Sequence, residues 1–518
     1  MERADARSAA GTPTAPAAPA TARVRRRWVW LVAGAVLGLM AVHGRFDLAV
    51  AAWLSPVFLL RYVRTGPAFT GPAAVWAASA VAGVFWMVET AVPMTPITVL
   101  GVIGLGTMTV LPYAADRLVT PRAGKVTALL LFPAAMAACQ FLMTIVSPFG
   151  TAFGVSAATQ HDTLALLQIV AVTGPYGMGF LIGWSATVLN RLWEDRVWAD
   201  AGALRRARAA VASYAAVMVL LLLVGGGRLV LFPPAGESVR VAGVSPDTSA
   251  ARALRAVIGE NFSGESVARL DQTRVRAAFG QVNANLLTRT REAAEAGAKI
   301  VVWSEQAANV PAAGERAYLD QVAALARERR IYLQAAAYVF LPRPPYAANR
   351  TYLFDPSGTR LWTYDKSHPI PGLEAYPPGP GVVPVVRTPY GRLATVTCFD
   401  ADFPALARVS ADIMLVPARD WAEIGPVHSQ KALLRAVENG YSMIRQAEFG
   451  VSGAFDPQGR TLAAHDHASG DRHVVFSDVP TRGTVTGYGN AGDLFAWMCL
   501  AGTLAGIGLS FRRARVMP

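Results

Sequence analysis

The chain has 518 residues and is short of cysteine and lysine. Of its three cysteines, Cys139 and Cys499 lie in long apolar runs, which excludes a fold held together by disulfides. Lysine occurs four times against 44 arginines. Charged residues amount to 16% and apolar residues to 53%, too apolar for an ordinary soluble enzyme. Cys398, the one cysteine outside the apolar runs, and Lys366, one of the four lysines, therefore stand out as candidates for chemistry.

Long apolar runs dominate the first 233 residues. A helix that crosses a bilayer needs about 20 predominantly apolar residues. Seven runs before residue 233 and one at the end of the chain come near that length. The first two are short and closely joined, so a single helical hairpin is an alternative to two spans. The sequence predicts about eight transmembrane helices, at 28–43, 46–60, 73–88, 96–113, 126–146, 164–192, 210–231 and 494–511.

The basic residues between these runs alternate in a way that indicates topology. Cytoplasmic loops are enriched in lysine and arginine. Every second connection and both ends of the chain carry basic clusters, whereas the other short loops carry only Arg45. Both termini are therefore predicted to be cytoplasmic, and the block between the seventh and eighth spans to lie outside. Much of the formal charge of +13 follows from this topology, so nucleic acid is not an expected partner.

The composition divides the chain into five predicted parts. Residues 1–22, rich in Ala, Pro and Thr, are expected to form a disordered cytoplasmic tail. Residues 23–233 would form a membrane domain of about seven helices, beginning with an uncleaved helix rather than a signal peptide, because another span follows it. Residues 238–492 would be the extracytoplasmic domain, 493–511 the closing transmembrane helix and 512–518 a cytoplasmic tail.

Short β-rich runs alternate with helical stretches in the block 238–492, which predicts one α/β domain with a mixed sheet. Glu305, Lys366 and Cys398 each follow a β run. Chemistry in α/β sheets gathers at the carboxyl ends of strands. A glutamate alone would be a solvated loop residue, and a cysteine alone a small core residue. Together, a thiol, a carboxylate and an ammonium indicate covalent acyl chemistry.

The stretch TVTCFDADFPALAR predicts a strand that ends on Cys398 and turns into a helix. A thiol facing a helix N-terminus lies near free backbone N–H groups and the positive end of the helix dipole. We therefore expect a lowered pKa for Cys398, with a usable share of thiolate near neutral pH.

Three motifs resemble those of a known family. WSE around Glu305, YDKSHPIPGLE around Lys366 and CFDADFP around Cys398 resemble the Glu, Lys and Cys motifs of the nitrilase, or carbon–nitrogen hydrolase, superfamily. The predicted transmembrane helices before and after the α/β block narrow this resemblance to the apolipoprotein N-acyltransferases. TGPYGMGFLIGW in the sixth apolar run and TGYGNAGD before the last one are similar to further segments of that family. The resemblance covers most of the chain from about residue 28.

The resemblance implies an αββα sandwich and a two-step acyl transfer in a bacterial plasma membrane. Cys398 would take an acyl chain from a phospholipid as a thioester and pass it to the α-amine of a diacylglyceryl-cysteine on a lipoprotein. Glu305 would be the general base, and Lys366 would stabilise the oxyanion with help from the backbone around Phe399. Glu374 would be a second carboxylate that orients the lysine or the leaving group. The implied partners are the phospholipid donor, the lipoprotein acceptor and membrane lipids.

The chain departs from the family pattern at several positions. Ser304 replaces a proline, and Phe399 and Asp400 stand where the family usually has Tyr and Glu. The lid segment around Trp421 is shorter and lacks an asparagine. These changes are expected to affect the choice of the amine that accepts the acyl chain more than the acyl-transfer chemistry. Phe399, Asp400 and Trp421 are supporting candidates.

Two alternatives remain at this point. One is a membrane-anchored amidase or other hydrolase with the same triad, in which water replaces the amine. The other is a catalytically silent partner subunit of a lipid-modifying complex. No cofactor and no metal are expected, and the histidines at 465, 467 and 473 are interpreted as a surface loop, because no ligand set of convincing spacing completes them.

Overall fold

The computed structural model describes residues 20–197, 201–234, 236–260, 262–467 and 473–516. Most of the predicted tail 1–22 and the last two residues of the tail 512–518 lie outside the described residues. Within these residues, nine α-helices precede the α/β part: α1 Ala20–Leu39, α2 Ala49–Arg64, α3 Thr70–Glu89, α4 Pro96–Val119, α5 Lys125–Val146, α6 Leu164–Leu167, α7 Val170–Thr173, α8 Tyr176–Glu194 and α9 Ala201–Leu231.

The described chain contains five helices long and apolar enough to cross a membrane, and six if one bent pair counts as a span. The predicted count of eight is therefore not confirmed. The first two predicted spans form shorter helices, since the described apolar part of α1 is Arg27–Leu39 and α2 has 16 residues. These two helices pack closely, and Ser55 Oγ donates to the Gly34 carbonyl at 2.8 Å.

The predicted span 164–192 is interrupted by a bend and is one span only if the two bent parts together cross the membrane. Helices α6 and α7 are separated from α8 by a bend of 115°. The bend lies at Gly174, whose φ of +64° suits glycine, and at Pro175, which has no N–H to continue a helix. A Cβ on Gly174 would lie 2.5 Å from Cε2 of Tyr488, so the bend also allows the TGYGN segment to approach.

The part of the remaining chain that the structure describes holds thirteen strands: β1 Ser238–Val244, β2 Ile300–Trp303, β3 Ala308–Pro311, β4 Tyr332–Phe340, β5 Ala347–Phe354, β6 Arg360–Asp365, β7 Val385–Thr388, β8 Gly391–Thr395, β9 Ile413–Arg419, β10 Ser442–Glu448, β11 Val451–Phe455, β12 Thr461–Asp466 and β13 Val474–Pro480. Its helices are α10 Thr248–Ile258, α11 Gly264–Ala268, α12 Gln272–Glu295, α13 Glu315–Arg329, α14 Pro404–Ala407, α15 Gly425–Asn439, α16 Gly487–Ala491 and the closing α17 Leu494–Val516.

The strands form two sheets. The first has the order β13-β1-β2-β4-β5-β6 with β3 beside β4, and the second has the order β12-β11-β10-β9-β8-β7. Strands β1, β2 and β4 are parallel neighbours, and β6 runs in the same direction because β5 is antiparallel to both β4 and β6. In the second sheet β8, β9 and β10 are parallel. The carboxyl ends of β2 and β6 therefore meet at one edge.

Buried apolar residues divide the α/β part into four layers. Val302 and Leu353 of the first sheet share a core with Leu415 and Ile444 of the second, so the two sheets face each other. Helices α12 and α13 cover the outer face of the first sheet. Helix α15 covers the second sheet and shares a core with α6 and α8, so that the α/β part is fixed directly on the helical bundle. Helices α11 and α12 are separate, and the Asp271 side chain caps the start of α12.

Candidate active site

Glu305 and Lys366 reach the same place from two strands of the first sheet. Glu305 follows β2 after Ser304, and Lys366 follows β6 directly. The Glu305 amide donates to the carbonyl of Ala418 in the second sheet at 3.1 Å, and the Lys366 amide donates to the carbonyl of Asn349 at 3.0 Å. Both loops are therefore held by backbone bonds to neighbouring strands.

One ammonium and two carboxylates form a buried cluster. Lys366 Nζ donates to Oε1 of Glu305 at 2.8 Å and to Oε1 of Glu374 at 2.9 Å. The exposed fractions of these side chains are 0%, 1% and 15%. Burial would lower the pKa of Lys366, but the two carboxylates outweigh it and hold that pKa well above its ordinary value. The lysine therefore remains a cation that can face a developing oxyanion.

The structure adds two residues that the sequence analysis missed. Asn349 Nδ2 donates to Oε1 of Glu305 at 2.6 Å and to the Tyr376 hydroxyl oxygen at 2.9 Å. Asn349 lies on β5, between the strands that lead to Glu305 and Lys366, and is buried. The signal that could have identified Asn349 is its amide side chain, which lies within a β run of mainly buried residues. Asn349 fixes the orientation of the Glu305 carboxylate.

Cys398 lies at the start of a tight 3-10 turn, Cys398–Asp402, three residues after the end of β8. Its φ is +48°, a left-handed conformation that is uncommon for a residue with a side chain. Its thiol Sγ lies 3.6 Å from the carbonyl oxygen of Arg419, and the residue is 4% exposed. The thiol interacts electrostatically with both Glu305 and Lys366. The structure thus brings the three predicted catalytic residues together.

The expected low pKa of Cys398 is wrong. Burial raises the pKa of this thiol well above its ordinary value, the negative charge of Glu305 raises it further, and the Lys366 cation opposes both. The helix-dipole argument fails because a five-residue 3-10 turn, rather than a long helix, follows the cysteine. Burial also raises the pKa of Glu305, against the attraction of Lys366. A nucleophilic role for this thiol would therefore require transfer of its proton to a neighbouring base.

Asp400 connects the loop after Lys366 with the Cys398 turn. Its carboxylate accepts from the Tyr364 hydroxyl at 2.7 Å, from the amides of Ser367 and His368 at 3.1 and 2.7 Å, and from the Thr397 amide at 3.1 Å. Asp400 is completely buried. Its position makes it a residue that fixes these two loops to each other rather than one that touches the Lys366 ammonium.

A second group of polar side chains lies near the thiol. Asp420 follows β9 directly, and its oxygens accept from Arg445 Nη1 and Nη2, each at 2.8 Å. Nδ1 of His428, in α15, lies 2.9 Å from Oδ1 of Asp420. Ligand atoms of Cys398, Asp420 and His428 all lie within 4.8 Å of one another. This set does not fit a metal ion, because both Asp420 oxygens already face the Arg445 guanidinium.

An apolar pocket adjoins the Cys398 turn. The α/β part contributes Phe399, Trp421 and Leu373 to its wall, and helices α3 and α4 contribute Met87 and Val102. The Trp421 indole donates to the Thr90 carbonyl at 2.5 Å, which fixes the predicted lid segment to the end of α3. The pocket therefore lies between the candidate site and the helical bundle.

Comparisons with known proteins agree with this two-part architecture. Residues 33–188 match the apolipoprotein N-acyltransferase N-terminal domain, and residues 266–480 match the carbon-nitrogen hydrolase family. Among solved structures, an amidase from Nesterenkonia sp. has 21% sequence identity, and the alignment covers 48% of this chain and 92% of that chain with a TM-score of 0.37.

Two named relatives align over most of the chain. The apolipoprotein N-acyltransferase of Geobacter metallireducens is 26% identical over 399 residues, which cover 69% of this chain and 70% of that protein. The apolipoprotein N-acyltransferase of Bradyrhizobium diazoefficiens is 25% identical over 448 residues, which cover 79% of this chain and 78% of that protein. The two family models and these relatives together support assignment of the chain to the apolipoprotein N-acyltransferase family, within the nitrilase superfamily.

Proposed function

We propose that the protein transfers an acyl chain from a phospholipid, through a thioester on Cys398, to the α-amine of the diacylglyceryl-cysteine of a lipoprotein. One observation carries this proposal. The Cys398 thiol lies beside the Glu305–Lys366 pair, in a site that opens on an apolar pocket walled in part by α3 and α4. A lipid carbonyl held in that pocket would meet the nucleophile, a base and a cation together.

In the first half-reaction the thiol proton passes to Glu305 while Sγ attacks the ester carbonyl carbon. The carbonyl oxygen gains negative charge, and the Lys366 ammonium stabilises it. The carbon–oxygen bond then breaks, and the proton held by Glu305 goes to the leaving oxygen. The products are a thioester on Cys398 and a lysophospholipid.

In the second half-reaction the free amine attacks the thioester carbonyl. The nitrogen gives up a proton to Glu305 as the new carbon–nitrogen bond forms, and the carbon–sulfur bond breaks. The proton returns to the sulfur and restores the thiol. The products are the N-acylated lipoprotein and the resting enzyme.

The supporting residues take roles that follow from their contacts. Glu374 orients the Lys366 ammonium, and its other oxygen accepts from the Ile370 amide at 2.7 Å. Asp400 holds the two catalytic loops in register. Phe399 and Trp421 shape the apolar pocket that receives the acyl chain. No cofactor takes part in the proposed reaction.

The proposal places the domain 238–492 on the outer face of a bacterial plasma membrane, with both termini in the cytoplasm. The alternation of basic clusters supports this orientation. Residues 23–233 would then form the membrane domain, and 493–511 the closing span. In this arrangement both lipid substrates reach the pocket by moving sideways within the bilayer.

The test is a reconstituted transfer reaction. The full chain in phospholipid vesicles is mixed with a diacylglyceryl-cysteine peptide that has a free α-amine, and products are identified by mass spectrometry. The proposal predicts N-acyl peptide and lysophospholipid in equal amounts, and no reaction of the same peptide with an acetylated amine. A hydrolase would release free fatty acid without N-acylating the peptide. A silent partner subunit would give neither product, and either result would refute the proposal.

A further inference from the structure

A short segment of the helical bundle, residues 149–153, contacts both the apolar pocket and the Cys398 turn. This linking segment lies in the connection that follows α5. Its first and last residues, both phenylalanines, form part of the pocket wall. The amide and the hydroxyl of Thr151 donate to the carbonyl oxygen of Asp402 at 2.7 and 2.8 Å. The linking segment therefore joins the proposed donor pocket to the last residue of the turn that begins with the thiol.

The linking segment approaches the turn closely. A Cβ on Gly150 would lie 2.4 Å from the Asp402 carbonyl oxygen, and the φ of Gly150 is +53°, so glycine suits this position on both counts. Cys398, at the other end of the same turn, has a left-handed φ of +48°. A side-chain-bearing residue keeps such a conformation only where the surrounding contacts hold it. The contacts of Asp402 hold the far end of this turn.

The Asp402 side chain makes a second set of contacts. Lys431 of α15 pairs with Oδ1 of Asp402 at 2.9 Å and donates to the Ala152 carbonyl of the linking segment at 3.4 Å. Both charged residues are buried. Burial opposes ionisation of Asp402, but Lys431 and His428 outweigh it, so that the pKa of this carboxyl lies below its ordinary value. One ammonium thus contacts the turn and the linking segment together.

Stability alone gives little reason for this buried pair. An ion pair of this kind can be replaced by apolar residues of similar volume with little or no loss of stability. Lysine is also scarce in this chain, with four against 44 arginines. A compact ammonium can donate from one point to acceptors on two segments, whereas a guanidinium is a planar fork. These features fit a residue that fixes the turn relative to the pocket.

We propose that Lys431, acting through Asp402, is a positioning residue that holds the Cys398 turn in register with an ester bound in the apolar pocket. The inference rests on the proposed function, because it requires a donor whose chain is held in that pocket. Lys431 does not need to touch the substrate. A displacement of about 1 Å between reacting groups is enough to slow a reaction by about 100-fold.

The effect of removing Lys431 should depend on the donor. The ester carbonyl of a phospholipid is held in place by its acyl chain, so the thiol has to stand at the matching position. The carbonyl of p-nitrophenyl acetate has no such anchor and can adjust to a displaced thiol. A simple loss of folded protein would lower the acylation rates with both donors by the same factor.

The experiment compares the two donors in the full chain. Acylation of Cys398 in wild type and Lys431→Met is followed by intact mass, with phospholipid vesicles and separately with p-nitrophenyl acetate. The ratio of the two rates at saturating donor should fall by about tenfold or more in the variant. The phospholipid fraction that gives half the maximal rate should stay within about twofold. Lys299→Met, at an exposed position, is the matched lysine control and should keep the wild-type ratio.

A double variant guards against misfolding caused by an unpaired Asp402 carboxylate. Lys431→Met combined with Asp402→Asn has neither buried charge, so its midpoint of thermal unfolding should lie above that of Lys431→Met alone. Its rate ratio should stay low, because no ammonium joins the turn to the linking segment. Thr151→Val should lower the ratio in the same direction, since it removes a donor to the Asp402 carbonyl without unpairing a charge.

The inference would be overturned by any of three results. They are a wild-type ratio in folded Lys431→Met, a ratio that recovers together with the midpoint in the double variant, and a change confined to the half-saturating phospholipid fraction. The first two would leave Lys431 with a structural role only, and the third would make it a residue of donor binding. Failure of the proposed function would be visible separately, because wild type would then react with p-nitrophenyl acetate and not with phospholipid.

Discussion

The Nζ atom of Lys366 lies 2.8 Å from Oε1 of Glu305, and neither side chain is exposed by more than 1%. Removing one member of such a pair leaves the other charge buried without its partner, at a cost of about 3–5 kcal/mol. Here the loss of the lysine would leave two carboxylates facing each other, because Glu374 shares the same ammonium. A substitution of either residue is therefore expected to affect the stability of the protein as well as the proposed chemistry.

Lys366→Met is predicted to abolish thioester formation and to lower the midpoint of thermal unfolding. The oxyanion that forms when the sulfur attacks the carbonyl would face no cation. Glu305, without its cationic partner, would take up a proton and cease to act as a base. Intact mass after incubation with vesicles and a thermal melt in detergent measure the two effects. Lys299→Met, at an exposed position next to β2, is the control and should change neither. Thioester formation by Lys366→Met at the wild-type rate would contradict the proposed role of the lysine.

The bend at Gly174 gives a second prediction. A side chain there would adopt an unfavourable backbone conformation and press on the Tyr488 ring, so Gly174→Ala should destabilise the protein by about 1–3 kcal/mol or more. Gly280 lies inside α12 with open space around it, and Gly280→Ala should stabilise the protein by about 0.5–1 kcal/mol. Thermal unfolding of both variants tests the opposite signs. A neutral Gly174→Ala would show that the bend does not need glycine.

Leu373 allows the apolar pocket to be tested for acyl binding. Leu373→Trp should fill part of the pocket and slow acylation by a long-chain phospholipid by about tenfold, the effect of losing roughly two buried methylene groups. Acylation by p-nitrophenyl acetate, which has no long chain, should proceed at the wild-type rate. Leu462→Trp is the matched control, because Leu462 is 39% exposed and Leu373 38%, but it lies on strand β12 outside the pocket wall. An equal effect of Leu373→Trp on both donors would argue against a chain-binding pocket.

Glu438 leads to a prediction of how the free energy of unfolding depends on pH. Burial raises its pKa from 4.5 to about 8, with Asp493 adding to the rise and Arg435 opposing it. Between these values the folded protein holds a proton that the unfolded chain has lost. The free energy of unfolding should therefore fall as the pH rises through this window, by up to about 1.4 kcal/mol per unit, and should stop falling above about 8.

The variant Glu438→Gln should lack this part of the slope, because a glutamine carries no proton to lose. Unfolding midpoints measured from pH 5 to pH 9 in one detergent test the difference. Glu292→Gln, on the exposed face of α12, should keep the wild-type slope. A slope that persists in Glu438→Gln would assign the pH dependence to another group.

The sequence predicted the meeting of Glu305, Lys366 and Cys398 because each follows a β run and carboxyl ends of strands gather at one edge. It could not predict Asn349, since that contact depends on which strand lies between β2 and β6. The pKa of Cys398 was misjudged for a related reason. A strand followed by a turn is visible locally, whereas burial and the charge of Glu305 come from segments far away in the chain.

The membrane part shows the same limit. Hydropathy and arginine clusters located the apolar helices, and five of them are long enough to cross a membrane. The run 164–192 is continuous in hydropathy, so the bend at Gly174 was not visible there. The Gly-Pro pair was a local sign of a break, but only the approach of Tyr488 explains why the chain turns at that point.

The central claim is that Cys398 carries the acyl chain as a thioester. The most direct test incubates the full chain with phospholipid vesicles without an acceptor, and then measures the intact mass and the mass of the peptide that contains Cys398. We predict a gain of one acyl group on that peptide, its absence in Cys398→Ala, and its removal on addition of the diacylglyceryl-cysteine peptide. An unchanged mass in the wild type, or an acyl group that persists in Cys398→Ala, would contradict the account.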